Sequence, residues 1–229
     1  MVFAVILAAG SGTRMNSSLT KQRMSVCGTS VIRRSVMAFD SCEDISGIVV
    51  VSREDELSYM KNELLGIKKL YKIVSGGKTR AESSYLGVSA LPTECTTVAI
   101  HDAARCLITS DGISAVVREA RRFGAACAAT PLRDTVKGVD VSGVIISTAS
   151  RESHIAVQTP QIFDRETLLR AFSSVDIRDA TITDDNMLYE RCGYGVATVY
   201  IGDDNLKITT PRDLAIAEII LKERENGKL

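Results

Sequence analysis

The chain has 229 residues, 45% of them hydrophobic, enough to bury a substantial core in one α/β domain. Lys plus Arg equal Asp plus Glu at 28 each, so no overall basic field exists to attract nucleic acid or an anionic membrane surface, and any anion-binding site must be local. The six cysteines (Cys27, Cys42, Cys95, Cys106, Cys127, Cys192) include no C-x-x-C pair and only two histidines accompany them, so reduced, mostly buried thiols are expected rather than a zinc site.

The N-terminal run MVFAVILAAGSG lacks a basic n-region and is too short for a membrane span, so it reads as the first strand of a cytosolic protein. Further strands are expected at Ile48 to Val51, Leu70 to Val74, Val98 to Ile100, Ala125 to Ala129 and Val196 to Ile201. Between them, Ser30 to Asp40, Glu54 to Leu65, Arg80 to Leu91 and Gly112 to Phe123 space their apolar residues for helices, and a last helix runs from Pro211 to about Arg224. The alternation predicts a mostly parallel sheet covered on both faces. One stretch breaks the rhythm. From Thr135 to Phe163 the pattern predicts paired strands turning near Asp140 to Gly143, read as a projecting arm, with a hairpin packed on its own domain as the alternative.

Gly10 and Gly12 follow the first strand at the edge where parallel sheets place ligands, and glycine lets backbone amides approach a phosphate. A dinucleotide site would want a third glycine at Met15 and an acidic residue after the second strand, where Ser52 and Arg53 stand, and no P-loop spacing occurs. Arg14 and Lys21 instead put two cations just past the glycines, suited to a triphosphate and to charge developing during phosphoryl chemistry. The competing reading is a tight turn followed by solvated basic side chains.

LAAGSGTRMNSSLTKQ resembles the signature of the 2-C-methyl-D-erythritol 4-phosphate cytidylyltransferase family, and GGKTRAESS, HDAAR, PLRDTVK, TPQIF, ITDD and DNLKITTPRDL resemble its later signatures in the same order, over Val2 to about Leu221. Two positions depart from it. Thr20 stands where proline commonly precedes the lysine and Cys106 where proline commonly follows HDAAR, each losing proline's restraint on the backbone.

The resemblance implies a Rossmann-like nucleotide-diphospho-sugar transferase type of α/β fold and transfer of CMP from CTP to a small polyol phosphate, with magnesium and without a covalent intermediate. It implies that Leu7, Ala8, Ala9, Gly10 and Gly12 wrap the CTP phosphates while Arg14 and Lys21 stabilise the transition state. Gly76, Gly77, Arg80, Glu82 and Ser83 would read the base, the competing view of Ser83 being helix capping. Asp102 would contact acceptor hydroxyls or the metal region, and Arg105 the acceptor phosphate; His101 reads as a structural donor. Arg151, Thr183 and Lys207 would hold the acceptor's phosphate and polyol, Arg151 and Thr159 reaching in from the other subunit of a homodimer through the arm, with Arg133, Asp134 and Lys137 at the arm's base. The sequence identifies no metal ligands. Methylerythritol phosphate is the leading acceptor, ribitol 5-phosphate the alternative, and a non-catalytic nucleotide-binding protein the alternative of another class.

Overall fold

The computed structural model describes residues 1–10 and 20–227. Gly12 and Arg14 therefore lie outside the described residues. The first apolar run forms β1 (Val2–Leu7), buried on both faces as an interior parallel strand must be. A small hairpin, β2 (Ser25–Val26) and β3 (Thr29–Ser30), leads into α1 (Val31–Ser41), where the Ser30 hydroxyl accepts from the Arg33 amide and so caps the helix. Strands and helices then alternate: β4 (Gly47–Ser52), α2 (Leu57–Glu63), β5 (Leu70–Ser75), α3 (Arg80–Ser89), β6 (Thr97–Asp102), α4 (Ser110–Phe123) and β7 (Ala125–Pro131). The helix expected from Glu54 begins as a 3-10 turn over Glu54–Glu56, so α2 proper is shorter than its apolar pattern suggests.

After β7 come β8 (Lys137–Val139), β9 (Ile145–Thr148), β10 (Ile155–Asp164), α5 (Arg165–Ser173), α6 (Asn186–Arg191), β11 (Ala197–Tyr200) and α7 (Pro211–Glu225). The main sheet has seven strands in the order β11-β7-β10-β6-β1-β4-β5, and within it only β10 runs against its neighbours. One core, with Phe39, Met60 and Val116, packs α1, α2 and α4 on one face; another, with Val88, Leu168 and Leu188, packs α3, α5 and α6 on the opposite face. A third cluster seats α7 against the β2–β3 hairpin through Val26, Cys106, Ile208 and Ala217.

The arm expected over 135–163 is shorter than that. β8 and β9 do form a hairpin whose turn is organised by Asp140, its carboxylate accepting from the Ser142 and Val144 amides, both at 2.9 Å. The final third of the span instead returns as β10, with Gln158 to Phe163 buried and Gln161 to Phe163 paired to both β6 and β7, beyond an irregularity after Val157. The physical reason is that Ile162 and Phe163 fill the two opposite cores, which only an interior strand permits.

Candidate active site

Past Leu7 the chain leaves the sheet at its carboxyl edge, and the Ala8 amide still bonds to the Val51 carbonyl at 2.7 Å. Gln22 is buried, and its Nε2 donates to the carbonyls of Ala8 (2.8 Å) and Gly10 (3.1 Å), tying the returning segment to the start of the loop. Lys21 opens the 3-10 turn Lys21–Arg23 and, with Leu7, Ala9 and Gly10, lines a cavity of about 360 Å³.

The opposite wall is the turn between β5 and α3. Gly76 touches the β1 loop so closely that a Cβ there would stand 2.5 Å from that of Ala9. The Thr79 hydroxyl caps α3 by accepting from the Glu82 amide at 3.0 Å, and Glu82 Oε2 accepts from the Lys78 amide at 2.7 Å. Ser83 Oγ donates to the Thr79 carbonyl (2.9 Å) and accepts from the Gly77 amide (3.1 Å). Ser83 and Glu82, expected among the base-reading residues, thus bond to the backbone of this turn; Ser83 still lines the cavity, and the turn contributes Gly77, Lys78 and Thr79 as well.

At the end of β6, Asp102 accepts from Lys207 Nζ at 2.5 Å and pairs with Arg80 Nη2 at 3.3 Å, while Arg80 Nη1 binds the fully buried Asp185 at 2.7 Å. Burial opposes the charge on Asp102, but Arg80 and Lys207 outweigh it and hold the carboxyl well below the usual carboxylate range. Burial likewise opposes the charge on Arg80, and Asp185 and then Asp102 overcome it, raising its pKa. Arg80, Asp102 and Lys207 also line a second cavity of about 250 Å³, so this charged trio is the common wall of two adjoining chambers.

The second chamber brings together Arg105, Thr159, Thr183 and Asp184. A chain of hydrogen bonds sets its back wall: the Asp102 amide donates to Thr159 Oγ1 (3.1 Å), that hydroxyl donates to His101 Nδ1 (3.1 Å), and His101 Nε2 donates to the Arg105 carbonyl (3.2 Å). Because a carbonyl only accepts, the proton sits on Nε2, and burial pushes the His101 pKa down to about 4. His101 is a neutral structural hinge. Thr159 was expected to serve a neighbouring subunit; buried and bonded to Asp102 and His101, it belongs instead to its own chain's site. Arg105 Nη1 donates to the Asn205 carbonyl at 2.7 Å, while its buried Nε has no partner among the described residues; burial lowers its pKa.

Sequence reasoning missed Gln22, Gln161, Asp185 and Asn205. Gln161 on β10 donates to Asp184 (2.9 Å) and accepts from the Asp185 amide (3.0 Å), fastening the 183–185 segment to the sheet, and Asn205 bonds the Thr159 carbonyl at 2.9 Å. All four lie inside quoted motifs; Gln22 even meets Ala8 and Gly10 within its own motif, which marks residues but not their contacts, while Gln161, Asp185 and Asn205 meet partners in other motifs far away in sequence. Thr183 faces the chamber with its hydroxyl 3.2 Å from Met187 Sδ. Arg151 lines neither chamber; its Nη1 donates to the Arg133 carbonyl at 3.0 Å, while Arg133 pairs with Asp203 and Lys137 bonds Thr148 within the hairpin.

Among the described residues no three His, Cys, Asp or Glu side chains converge on a metal position. Asp102, the carboxylate lining the larger chamber, already faces two cations. These residues do not form a resident magnesium site.

A sequence profile of the 2-C-methyl-D-erythritol 4-phosphate cytidylyltransferases matches residues 2–223. The chain belongs to this family. It is 40% identical over 225 residues to the 2-C-methyl-D-erythritol 4-phosphate cytidylyltransferase of Caldanaerobacter subterraneus, covering 97% of this chain and 99% of that one. The Nostoc protein of the same name is 38% identical over 99% of this chain and all of its own. Among solved structures, the 4-diphosphocytidyl-2C-methyl-D-erythritol synthase of Anaerococcus prevotii superposes with a TM-score of 0.86 at 28% identity, over 97% of this chain and 98% of that one. The Thermus thermophilus cytidylyltransferase gives 0.78 at 26% identity, over 97% and 100%. The fold is the nucleotide-diphospho-sugar transferase type that the sequence led us to expect.

The two departures from the family pattern also find their place. Cys106 is buried in the cluster under α7, where burial pushes its thiol up to about 11. Thr20 donates its hydroxyl to Glu56 at 2.7 Å.

Proposed function

We propose that the protein transfers CMP from CTP to 2-C-methyl-D-erythritol 4-phosphate, giving 4-diphosphocytidyl-2-C-methyl-D-erythritol and pyrophosphate. The observation that carries this reading is the pair of chambers sharing Arg80, Asp102 and Lys207, in a chain that belongs to the cytidylyltransferase family. The larger chamber, between the glycine loop and the Gly76–Thr79 turn, takes the nucleotide. The smaller one takes the acceptor, so that the acceptor phosphate meets the α-phosphorus at the shared wall. An acceptor phosphate oxygen forms the new P–O bond as the bond from the α-phosphorus to the bridging oxygen breaks and pyrophosphate leaves. Negative charge grows on the non-bridging oxygens and the leaving group, where Lys21 and Arg14 stabilise it. Lys207 and Arg105 hold the acceptor phosphate, and Thr183 its hydroxyls. Asp102 keeps Arg80 and Lys207 oriented until substrates enter. No general base is required of His101, because the attacking phosphate is already an anion at neutral pH.

Magnesium belongs to this proposal as a companion of the triphosphate, and no step is assigned to it. We place the reaction in the cytoplasm, a setting consistent with six free cysteines. The arm is proposed to join two copies and to carry Arg151 into the neighbour's acceptor chamber. Two features support this: Val139, Val144, Ile145 and Ile146 on the hairpin are 56–67% exposed, and among the described residues Arg151 lines neither of these two chambers of its own chain.

The test is pyrophosphate release by the full chain with magnesium, each of the four nucleoside triphosphates, and either methylerythritol phosphate or ribitol 5-phosphate. Turnover is expected with CTP and methylerythritol phosphate. Preference for ATP would refute cytosine recognition; turnover only with ribitol 5-phosphate would refute the acceptor. Nucleotide binding without turnover would leave a binding protein.

A further inference from the structure

Lys21 is flanked by two anchored side chains. Gln22 ties the residue after it to Ala8 and Gly10. The residue before it, Thr20, holds φ −67° and ψ 149° and donates its hydroxyl at 2.7 Å to Oε1 of Glu56. Glu56 ends the 3-10 turn that leaves β4; it is 5% exposed, and its Oε2 has no hydrogen-bond partner among the described residues.

As a stabilising element this arrangement is weak, because among the described residues the buried Glu56 side chain has one hydrogen-bond partner, the Thr20 hydroxyl, and a buried polar group left partly unpaired costs free energy. Its value lies in direction. Thr20 occupies the φ that a proline ring would fix, but threonine has no ring, so the bond to Glu56 restrains that extended conformation from outside. The Arg23 amide then bonds the Thr20 carbonyl at 3.0 Å and the Met24 amide the Lys21 carbonyl at 3.3 Å, so rotation at Thr20 swings the whole turn that carries Lys21.

We propose that Thr20 and Glu56 are positioning residues for Lys21: the bond between them aims the lysine at the nucleotide chamber before CTP arrives. The inference rests on the proposed function, in which Lys21 neutralises charge that appears as pyrophosphate leaves. A cation aimed in advance acts on the transition state more than on bound CTP, and a misplacement of about 1 Å costs as much as a hundredfold. Loss of the tether therefore lowers kcat and leaves the KM for CTP nearly unchanged.

The experiment uses the full chain with Thr20→Val, Thr20→Ser, Thr20→Pro and Glu56→Leu, measuring kcat, KM for CTP, melting temperature and hydrogen exchange of the amides of residues 20–24. Thr20→Val is expected to lower kcat about tenfold, with KM for CTP within about twofold and faster exchange over 20–24. Thr20→Ser, which keeps the hydroxyl, and Thr20→Pro, which fixes φ without it, should each keep at least about half of the wild-type kcat. Glu56→Leu should melt no lower than wild type and still lose about tenfold in kcat, a separation that a merely structural role does not produce. Since the two residues act as one unit, Thr20→Val with Glu56→Leu should be no slower than either alone. Wild-type kcat in Thr20→Val or Glu56→Leu, equal losses in the valine and serine variants, or a proline variant as slow as valine would overturn the proposal. If the wild-type chain itself releases no pyrophosphate, the proposed function fails, and exchange over 20–24 still decides whether the tether restrains this turn.

Discussion

Acid should begin to destabilise this protein through His101, at a higher pH than through Asp102. The imidazole is buried, bonded at both nitrogens and pushed down to about 4, against about 6.5 in an unfolded chain. Between those values the unfolded state binds the proton that the folded state refuses, so stability falls as pH falls through this window and is fully present above about 6.5. Integrated from pH 7.5 to pH 5, the displacement removes about 2 kcal/mol, and about 3 kcal/mol by its lower end. Asp102, whose pKa is depressed against an unfolded value of about 3.9, contributes its own loss only at lower pH. The assay is urea unfolding at fixed protein concentration and in reductant, followed by far-UV circular dichroism because the chain has no tryptophan. His101→Gln should cost about 1–2 kcal/mol at pH 7.5 for its hydrogen bonds but flatten the stability profile from pH 7.5 to 5. Parallel profiles for wild type and variant would refute the assignment of a neutral, proton-refusing His101.

Lys21→Ala and Arg14→Ala should each lower kcat by about a hundredfold or more, with smaller effects on substrate binding, as for loss of one preorganised group facing transition-state charge; steady-state kinetics with CTP decides this, and a near-normal kcat in Lys21→Ala would make the loop a simple turn. Lys21→Ala and Arg151→Ala, each nearly inactive, should recover about a quarter of wild-type activity when unfolded together and refolded as a mixture, since about half the dimers are mixed and each has one intact site of two. No recovery, with mixed dimers confirmed by mass, would refute the shared site.

Much of this fold is legible in the order of apolar runs, because each parallel strand is buried on both faces and so stands out as a block, as Val2–Leu7 and Gly47–Ser52 do. β10 escaped because its exposed first residues continue the alternation of the hairpin and Pro160 interrupts the buried remainder, so the eye joins it to the arm. α5 and α6 are short and lack a long periodic pattern. In the site, glycines and cations near strand ends are readable because the proposed phosphate chemistry would need such residues there. The supports are not: Gln161 and Asp185, or Thr20 and Glu56, meet only after the sheet is built, from positions 24 and 36 residues apart. Thr159 shows the limit of motif reading, since the motif marks the residue but not which chain it serves.

Because Ile155 pairs with Pro131, the chain between β7 and β10 is in topological terms the loop of an antiparallel pair, and the projecting hairpin is an outgrowth of that loop. Strand order asks only that the chain come back beside β7. Insertions, deletions and changes of sequence at the tip are thus invisible to the sheet, the tolerance typical of surface connections. The root has no such freedom. A one-residue slip of β10 would turn Thr159 and Gln161 away from the second chamber and exchange the faces to which Ile162 and Phe163 point. Divergence among relatives should accordingly accumulate in hairpin length and stop abruptly at the last residues before Gln158.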